Sequence, residues 1–137
     1  MGARTKARKR ALDVLYAADI RGKDLAEALR EEQARVAGES GRAASWGYAS
    51  EIVQGLIDRG SEIDELLTTY ARDWPLHRMP AVDRALLRIG AWEIACNPAV
   101  PNAVAISEAV EAAAELSTED SARFVNGVLA RIADALG

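Results

Sequence analysis

The first ten residues hold five bases and no acid: Arg4, Lys6, Arg8, Lys9 and Arg10. We call these five residues the basic arm. The other 127 residues carry 12 bases and 21 acids, so the overall charge of −4 hides a basic segment on a body of charge −9. A run of lysine and arginine binds polyanions, and phosphates in particular. A solubilising tail is the alternative, and charge alone favours neither.

The predicted helix that contains the basic arm also favours phosphate binding. Apolar residues at Ala7, Ala11, Val14 and Ala18 predict a helix from about residue 4 to residue 20. Because a helix N-terminus favours anions by about 0.3–1 kcal/mol per charge, cations in the first turns are locally unfavourable. They indicate a role outside the fold, and a bound phosphate would gain from both the side chains and the helix end.

One aromatic residue follows the arm on the same predicted helix. Tyr16 falls near Lys9 on the helical wheel and away from the apolar stripe. Unpaired RNA bases stack on aromatic rings while lysine and arginine bind the phosphates. An exposed tyrosine beside cations is therefore typical of single-stranded RNA recognition. A tyrosine packed at the edge of the core fits the pattern equally well.

Residues for catalysis or metal binding are scarce. His77 is the only histidine and Cys96 the only cysteine, which excludes a His–His metal site, an intramolecular disulfide and a cysteine zinc cluster. No glycine-rich phosphate loop occurs. Glu108, Glu111 and Glu115 share a predicted helix face, but the chain has no Glu-x-x-His motif to complete a metal site. The sequence predicts a protein that is not an enzyme and needs no metal or cofactor.

Helical spacing of apolar residues runs along the whole chain and predicts an all-α fold of about seven helices. Helix ends are predicted at Gly38 and Gly41, at Gly60 with Ser61 capping the next helix, at Asn97-Pro98, and at Ser117. Pro75 and Pro80 interrupt the pattern most strongly. We therefore expect a single domain whose two helical halves meet near residues 73–80.

The sequence also predicts the cellular compartment of the protein. No apolar run approaches the roughly 18 residues that span a membrane. Asp13 and Asp19 interrupt the stretch behind the basic start, which a secretory signal would keep apolar. Together with the single thiol, these features predict the reducing cytoplasm.

Four motifs go beyond composition. ARKRALDVLYAADI at residues 7–20 contains A-x-x-x-L-Y, and residues 83–88 contain D-R-x-x-L-R. Residues 104–111 contain V-x-I-x-E-A-V-E, and residues 120–129 contain D-S-x-x-F-V-N-G-V-L. In order and spacing, from about residue 4 to 133, the chain resembles the NusB family of transcription antitermination factors. Residues 30–50 depart from the family pattern.

The resemblance implies an all-helical fold of two small packed bundles. It implies binding to the single-stranded boxA element in the leader of ribosomal RNA operon transcripts. The implied partners are a NusE-type small-subunit ribosomal protein and the RNA polymerase antitermination complex. No reaction, cofactor or membrane is involved. Some family members form homodimers, and such a dimer could cover the basic arm and compete with RNA.

Site residues follow from the same resemblance. The basic arm matches the family's RNA-binding arm, and Tyr16 matches an aromatic beside it. Ser121, Arg123 and Phe124 match a second RNA-contacting region, although the spacing of Phe124 also suits a core residue. Asp83 and Arg88 match positions on the partner or RNA face. The alternative to an RNA-binding factor is a helical scaffold that binds only protein and carries an incidental basic tail.

Overall fold

The computed structural model describes residues 2–39 and 43–137, and within them the chain is helical with no strand. The elements are α1 (Ala3–Arg21), α2 (Leu25–Ala37), α3 (Ala43–Tyr70), a 3₁₀ turn (Leu76–Arg78), α4 (Ala81–Cys96), α5 (Asn102–Leu116) and α6 (Glu119–Leu136). The all-α prediction is confirmed. No helix of the described residues is long and apolar enough to cross a membrane.

The described residues form six α-helices rather than seven, because the predicted third and fourth helices follow each other without a loop and meet at a kink. Within α3 only Arg59 departs from helical geometry, with φ −125° and ψ 21°. The predicted break at residues 59–61 is therefore present, as a kink at Arg59 rather than as a glycine cap. Gly60 lacks the positive φ of a glycine C-cap, which among the described residues only Gly22 adopts, at 63°.

Helix caps explain most of the observed boundaries. Asp24 caps α2 by accepting a hydrogen bond from the Glu27 amide at 3.4 Å, and Gly38 ends that helix. The predicted stop at Gly41 lies outside the described residues. At α6 the cap is Thr118 rather than Ser117, since the Thr118 hydroxyl accepts from the Ser121 amide at 2.9 Å.

Two compact units divide the chain between Asp58 and Arg59. The sequence instead placed the junction of the halves near residues 73–80. That segment belongs to the second unit, because Arg84 of α4 donates to the carbonyls of Leu76 at 3.0 Å and Met79 at 3.1 Å. The first unit contains α1, α2 and the first part of α3, and the second contains α4, α5 and α6.

Each unit has its own apolar core. In the first unit the fully buried side chains include Ala7, Ala11, Ile52 and Val53. In the second unit they include Leu87, Val125, Leu129 and Ile132. Gly90 of α4 faces Leu129 of α6 so closely that a Cβ at Gly90 would lie 2.6 Å from the Leu129 Cδ1 atom. The glycine therefore permits the close approach of these two helices.

Candidate nucleic-acid interface

The basic arm forms the first two turns of α1. The N-cap residue Gly2 provides no side-chain cap, and the first turn contains no acid. A helix N-terminus ordinarily gains from a negative group, and here the chain supplies none. The first turns of α1 therefore combine unsatisfied amides with a cluster of cations, which together attract a phosphate.

Three arginines of the arm are held against aromatic rings at the start of α3. The guanidinium carbons of Arg4 and Arg8 lie 4.6 Å and 5.8 Å from the ring centre of Tyr48. That of Arg10 lies 5.1 Å from the Trp46 ring, and its Nη1 donates to the Ser45 hydroxyl at 3.0 Å. These cation–π contacts fix the direction of three charges before any ligand arrives.

The other side of α1 faces outward. Lys6, Lys9, Asp13 and Tyr16 follow one another at helical spacings of three, four and three residues, so they form a stripe along the helix. Tyr16 is 41% exposed, and neither it nor Lys6 makes a hydrogen bond, ion pair or ring contact within the described residues. The tyrosine is therefore accessible beside cations, and its role in RNA recognition stays a prediction.

A groove of about 730 Å³ runs beside this stripe, between α1, α2 and the start of α3. Its lining carries more bases than acids. Two of its acids are paired, since Glu31 accepts from Lys23 at 2.7 Å and Glu32 accepts from Arg35. Asp13 makes no hydrogen bond or ion pair to any residue that the structure describes.

The environment of Asp13 raises the pKa of its carboxyl group. Partial desolvation by the groove walls is the main cause, and the charge of Glu32 on α2 adds to it. Lys9 and Arg10 oppose the increase without cancelling it. The groove therefore holds a carboxylate that its surroundings do not fully stabilise.

In the second unit, two predicted RNA-contacting residues are accessible at the start of α6. Arg123 is exposed and pairs with Asp120 one turn earlier. Phe124 is half-buried and meets Trp74 edge to face, with ring centres 5.1 Å apart and an interplanar angle of 64°. This geometry is a favourable aromatic arrangement and leaves part of the Phe124 ring at the surface.

The other predicted residues of this unit are engaged inside it. Asp83 is fully buried and Ser121 is 4% exposed, and their side chains bind each other. Because both side chains are buried, neither can contact a ligand directly. The prediction that Asp83 and Ser121 contact RNA or a partner is corrected accordingly, and both residues stabilise the fold. Arg88 is half-buried and donates two hydrogen bonds to Asp64, at 2.9 Å and 3.1 Å.

Residues with catalytic potential remain isolated. Burial raises the pKa of the Cys96 thiol, an effect that the nearby Arg59 only partly offsets, so the thiolate is disfavoured. His77 is exposed on the 3₁₀ turn. Within residues 2–39 and 43–137, no three metal-binding side chains come together.

Comparison with known proteins decides the family. The model of the NusB family matches residues 5–134. This chain belongs to the NusB family. It is 62% identical to the transcription antitermination protein NusB of Clavibacter sepedonicus over 135 residues, which is 98% of each chain. The family comprises transcription antitermination factors rather than enzymes.

Solved NusB structures share the fold. A structure of T. maritima NusB has a TM-score of 0.80 and 32% identity, covering 96% of this chain and 90% of that one. A crystal structure of antitermination factors NusB and NusE in complex with dsRNA has a TM-score of 0.81 and 27% identity, covering 97% of each chain.

Sequence reasoning missed the residues that organise the arm. The sequence did not connect Trp46 or Tyr48 with the arm, because both lie in the segment where the resemblance to the NusB family fails. Their part in the site depends on how α3 meets α1, which helical periodicity does not reveal. The contact between Trp74 and Phe124 could not be predicted either, since 50 residues separate them in the sequence. The assignment of individual RNA and partner contacts stays a prediction.

Proposed function

We propose that this chain binds the single-stranded boxA element of ribosomal RNA transcripts through the exposed stripe and basic arm of α1. It does so with a NusE-type ribosomal protein, as part of the RNA polymerase antitermination complex in the cytoplasm. It catalyses no reaction and requires no cofactor. The accessible residues Arg123 and Phe124 at the start of α6 supply a second RNA-contacting surface.

The observation that carries this proposal is that aromatic rings hold the arginines of the arm while Lys6 stays exposed. Tyr48 holds Arg4 and Arg8, and Trp46 holds Arg10. Lys6 extends from the side of α1 opposite to Arg4 and Arg8. A protein that used these bases only for solubility would gain nothing from fixing three of them on aromatic rings. Pre-orientation lowers the entropy lost when a flexible arginine binds a phosphate.

Tyr16 favours an unpaired strand over a duplex. A single strand can place the free face of a base on an exposed ring, whereas the bases of a duplex are already stacked on each other. The similar NusB chain crystallised with NusE and dsRNA shows that a duplex is a ligand worth comparing directly. The binding of a boxA duplex is therefore compared with that of the single strand.

The test is fluorescence anisotropy with labelled boxA RNA, a scrambled RNA of the same composition, and a boxA duplex. Each is titrated with the full chain in the presence and absence of the NusE-type ribosomal protein. We expect the boxA strand to bind more tightly than the other two, and the partner protein to increase that preference. Replacing the exposed Lys6 together with Lys9 by glutamine should weaken RNA binding while circular dichroism reports an intact helical fold.

Equal and weak binding to all three RNAs, unimproved by the partner, would contradict the proposal. If the double replacement also left binding of the ribosomal protein unchanged, the chain would be a helical scaffold with an incidental tail. Light scattering on the same samples reports whether a homodimer forms. If a dimer covers the arm, RNA should shift the chain towards monomer.

A further inference from the structure

The groove between α1 and α2 has a charge pattern that suits a nucleic acid strand. Basic side chains stand at both ends, with Lys6 and Lys9 at one end and Arg21 and Lys23 at the other. The axial distance from Lys6 to Arg21 along α1 is about 22 Å, from 1.5 Å per residue. A strand lying along the groove would therefore meet cations at two places separated by several nucleotides.

Asp13 lies between these two basic ends. A carboxylate at this position repels phosphates, so a groove that bound the backbone alone would be better without it. The two acids across the groove are neutralised by Lys23 and Arg35, whereas Asp13 is left without a hydrogen-bonding partner in the described part of the chain. It is the acid in the groove that remains available to a ligand.

The chemistry of this acceptor selects among the bases. An ionised carboxylate accepts hydrogen bonds through two oxygens and donates none. Guanine alone presents two adjacent donors, N1–H and N2–H, on its Watson–Crick edge. Adenine and cytosine place a ring nitrogen acceptor beside the amino group, and uracil places carbonyls on both sides of N3–H. A bidentate contact to a carboxylate therefore favours guanine.

We propose that Asp13 is a base-reading residue whose carboxylate accepts N1–H and N2–H from one unpaired guanine in this groove. Tyr16, one turn further along the same stripe, offers its exposed ring for stacking by a neighbouring base. Lys6 and Lys9 bind the flanking phosphates. This inference rests on the RNA-binding function proposed above and adds a specificity determinant to it.

The raised pKa of the Asp13 carboxyl group is consistent with this role. A carboxylate that is incompletely stabilised by its own protein gains more from two donors supplied by a ligand. The unfavourable environment of Asp13 in the free protein would be relieved once guanine is bound.

The experiment uses three labelled twelve-nucleotide oligouridines with a single central guanosine, inosine or adenosine. Inosine differs from guanosine only by the missing N2 amino group, so the guanosine-to-inosine affinity ratio isolates one donor. The wild-type chain is compared with Asp13→Asn and Asp13→Ala. Asp19→Asn is the matched control, because Asp19 is an exposed acid on α1 that does not line the groove.

For the wild type, we expect guanosine RNA to bind roughly tenfold more tightly than inosine RNA, the effect of one hydrogen bond to a charged group. Both Asp13 variants should bring this ratio close to one. Asp19→Asn should keep it. All three variants lose a negative charge, which by itself strengthens binding to every RNA, so the ratio, rather than the affinity, is the readout.

An unchanged guanosine-to-inosine ratio in the two Asp13 variants, in a protein that still binds these RNAs, would overturn the base-reading role alone. Failure of the wild-type chain to bind any of the three RNAs or boxA would overturn the RNA-binding function together with it.

Discussion

The hydroxyl of Ser121 donates a hydrogen bond to the Asp83 carboxylate at 2.6 Å, inside the second unit. This bond joins α4 to the first turn of α6, and Ser121 also accepts from the hydroxyl of Thr118, the helix cap, at 3.0 Å. The second Asp83 oxygen, Oδ1, has no hydrogen-bond partner among the described residues. A buried carboxylate with so few partners makes the Ser121 hydroxyl important for stability.

Removing that hydroxyl should destabilise the fold without removing an RNA contact. We expect Ser121→Ala to lower the free energy of unfolding by about 1–3 kcal/mol, the penalty for leaving a buried polar group unsatisfied. Urea denaturation measures this change. Ser107→Ala is the matched control, because the Ser107 hydroxyl is exposed and should contribute little. Unchanged stability combined with lost RNA affinity would instead mean that Ser121 contacts RNA directly.

Gly90 of α4 and Gly127 of α6 should respond oppositely to alanine. Gly90→Ala places a methyl group 2.6 Å from a buried Leu129 carbon, and we expect overpacking to cost about 1–3 kcal/mol. Gly127→Ala meets only the flexible end of Arg131, at 3.4 Å, so the helix propensity of alanine should add up to about 1 kcal/mol. Thermal unfolding of both variants tests the pair. Equal effects at the two positions would contradict the close helix approach at Gly90.

Much of this fold could be predicted from sequence, because helical periodicity and caps are local. The predicted α1 and the predicted end of α2 at Gly38 agree with the structure. The predicted break at Gly60 is a kink at Arg59 rather than a loop, and the apolar stripe continues on both sides of it. That stripe runs through Leu56, Ile63 and Leu67, which are all buried.

The site was harder to predict because it depends on contacts between helices. The basic arm is visible as a charge run, and the exposure of Tyr16 follows from its place on the helical wheel. The rings that hold the arginines come from α3, more than 30 residues away. Asp83 and Ser121 were placed on the surface because motif resemblance does not report burial.

Asp13 should make stability depend on pH in a definite direction. Its pKa in the folded chain is above the ordinary value of about 3.9, so the folded state binds this proton more tightly than the unfolded state. The ionised carboxylate therefore reduces stability as pH rises through that window. We expect Asp13→Asn to melt at a higher temperature than wild type at pH 7, and the difference to vanish near pH 3. A lower melting temperature at pH 7 would contradict this environment.

The aromatic support of the arm can be separated from its charge. Tyr48→Leu removes the ring beneath Arg4 and Arg8 and leaves every charge in place. We expect RNA affinity to fall several-fold, because the arginines lose their fixed direction, while the salt dependence stays the same. Tyr16→Leu should also weaken binding, but with little effect on stability, since Tyr16 is exposed and makes no hydrogen bond or ring–ring contact with a described residue. Anisotropy and thermal unfolding distinguish the two.

The salt dependence of RNA binding tests the central claim, that cations of α1 neutralise RNA phosphates. If three to five phosphates are bound, log K should fall against log salt with a slope of roughly −2 to −3.5 for a single strand. Replacing Lys6 and Lys9 by glutamine should reduce the magnitude of that slope by about 1.4, or 0.7 for each lost contact. The matched control replaces Arg30 and Arg72, two exposed bases outside the groove, and should leave the slope unchanged. Binding that is nearly independent of salt, or the same reduction in both double variants, would contradict the account.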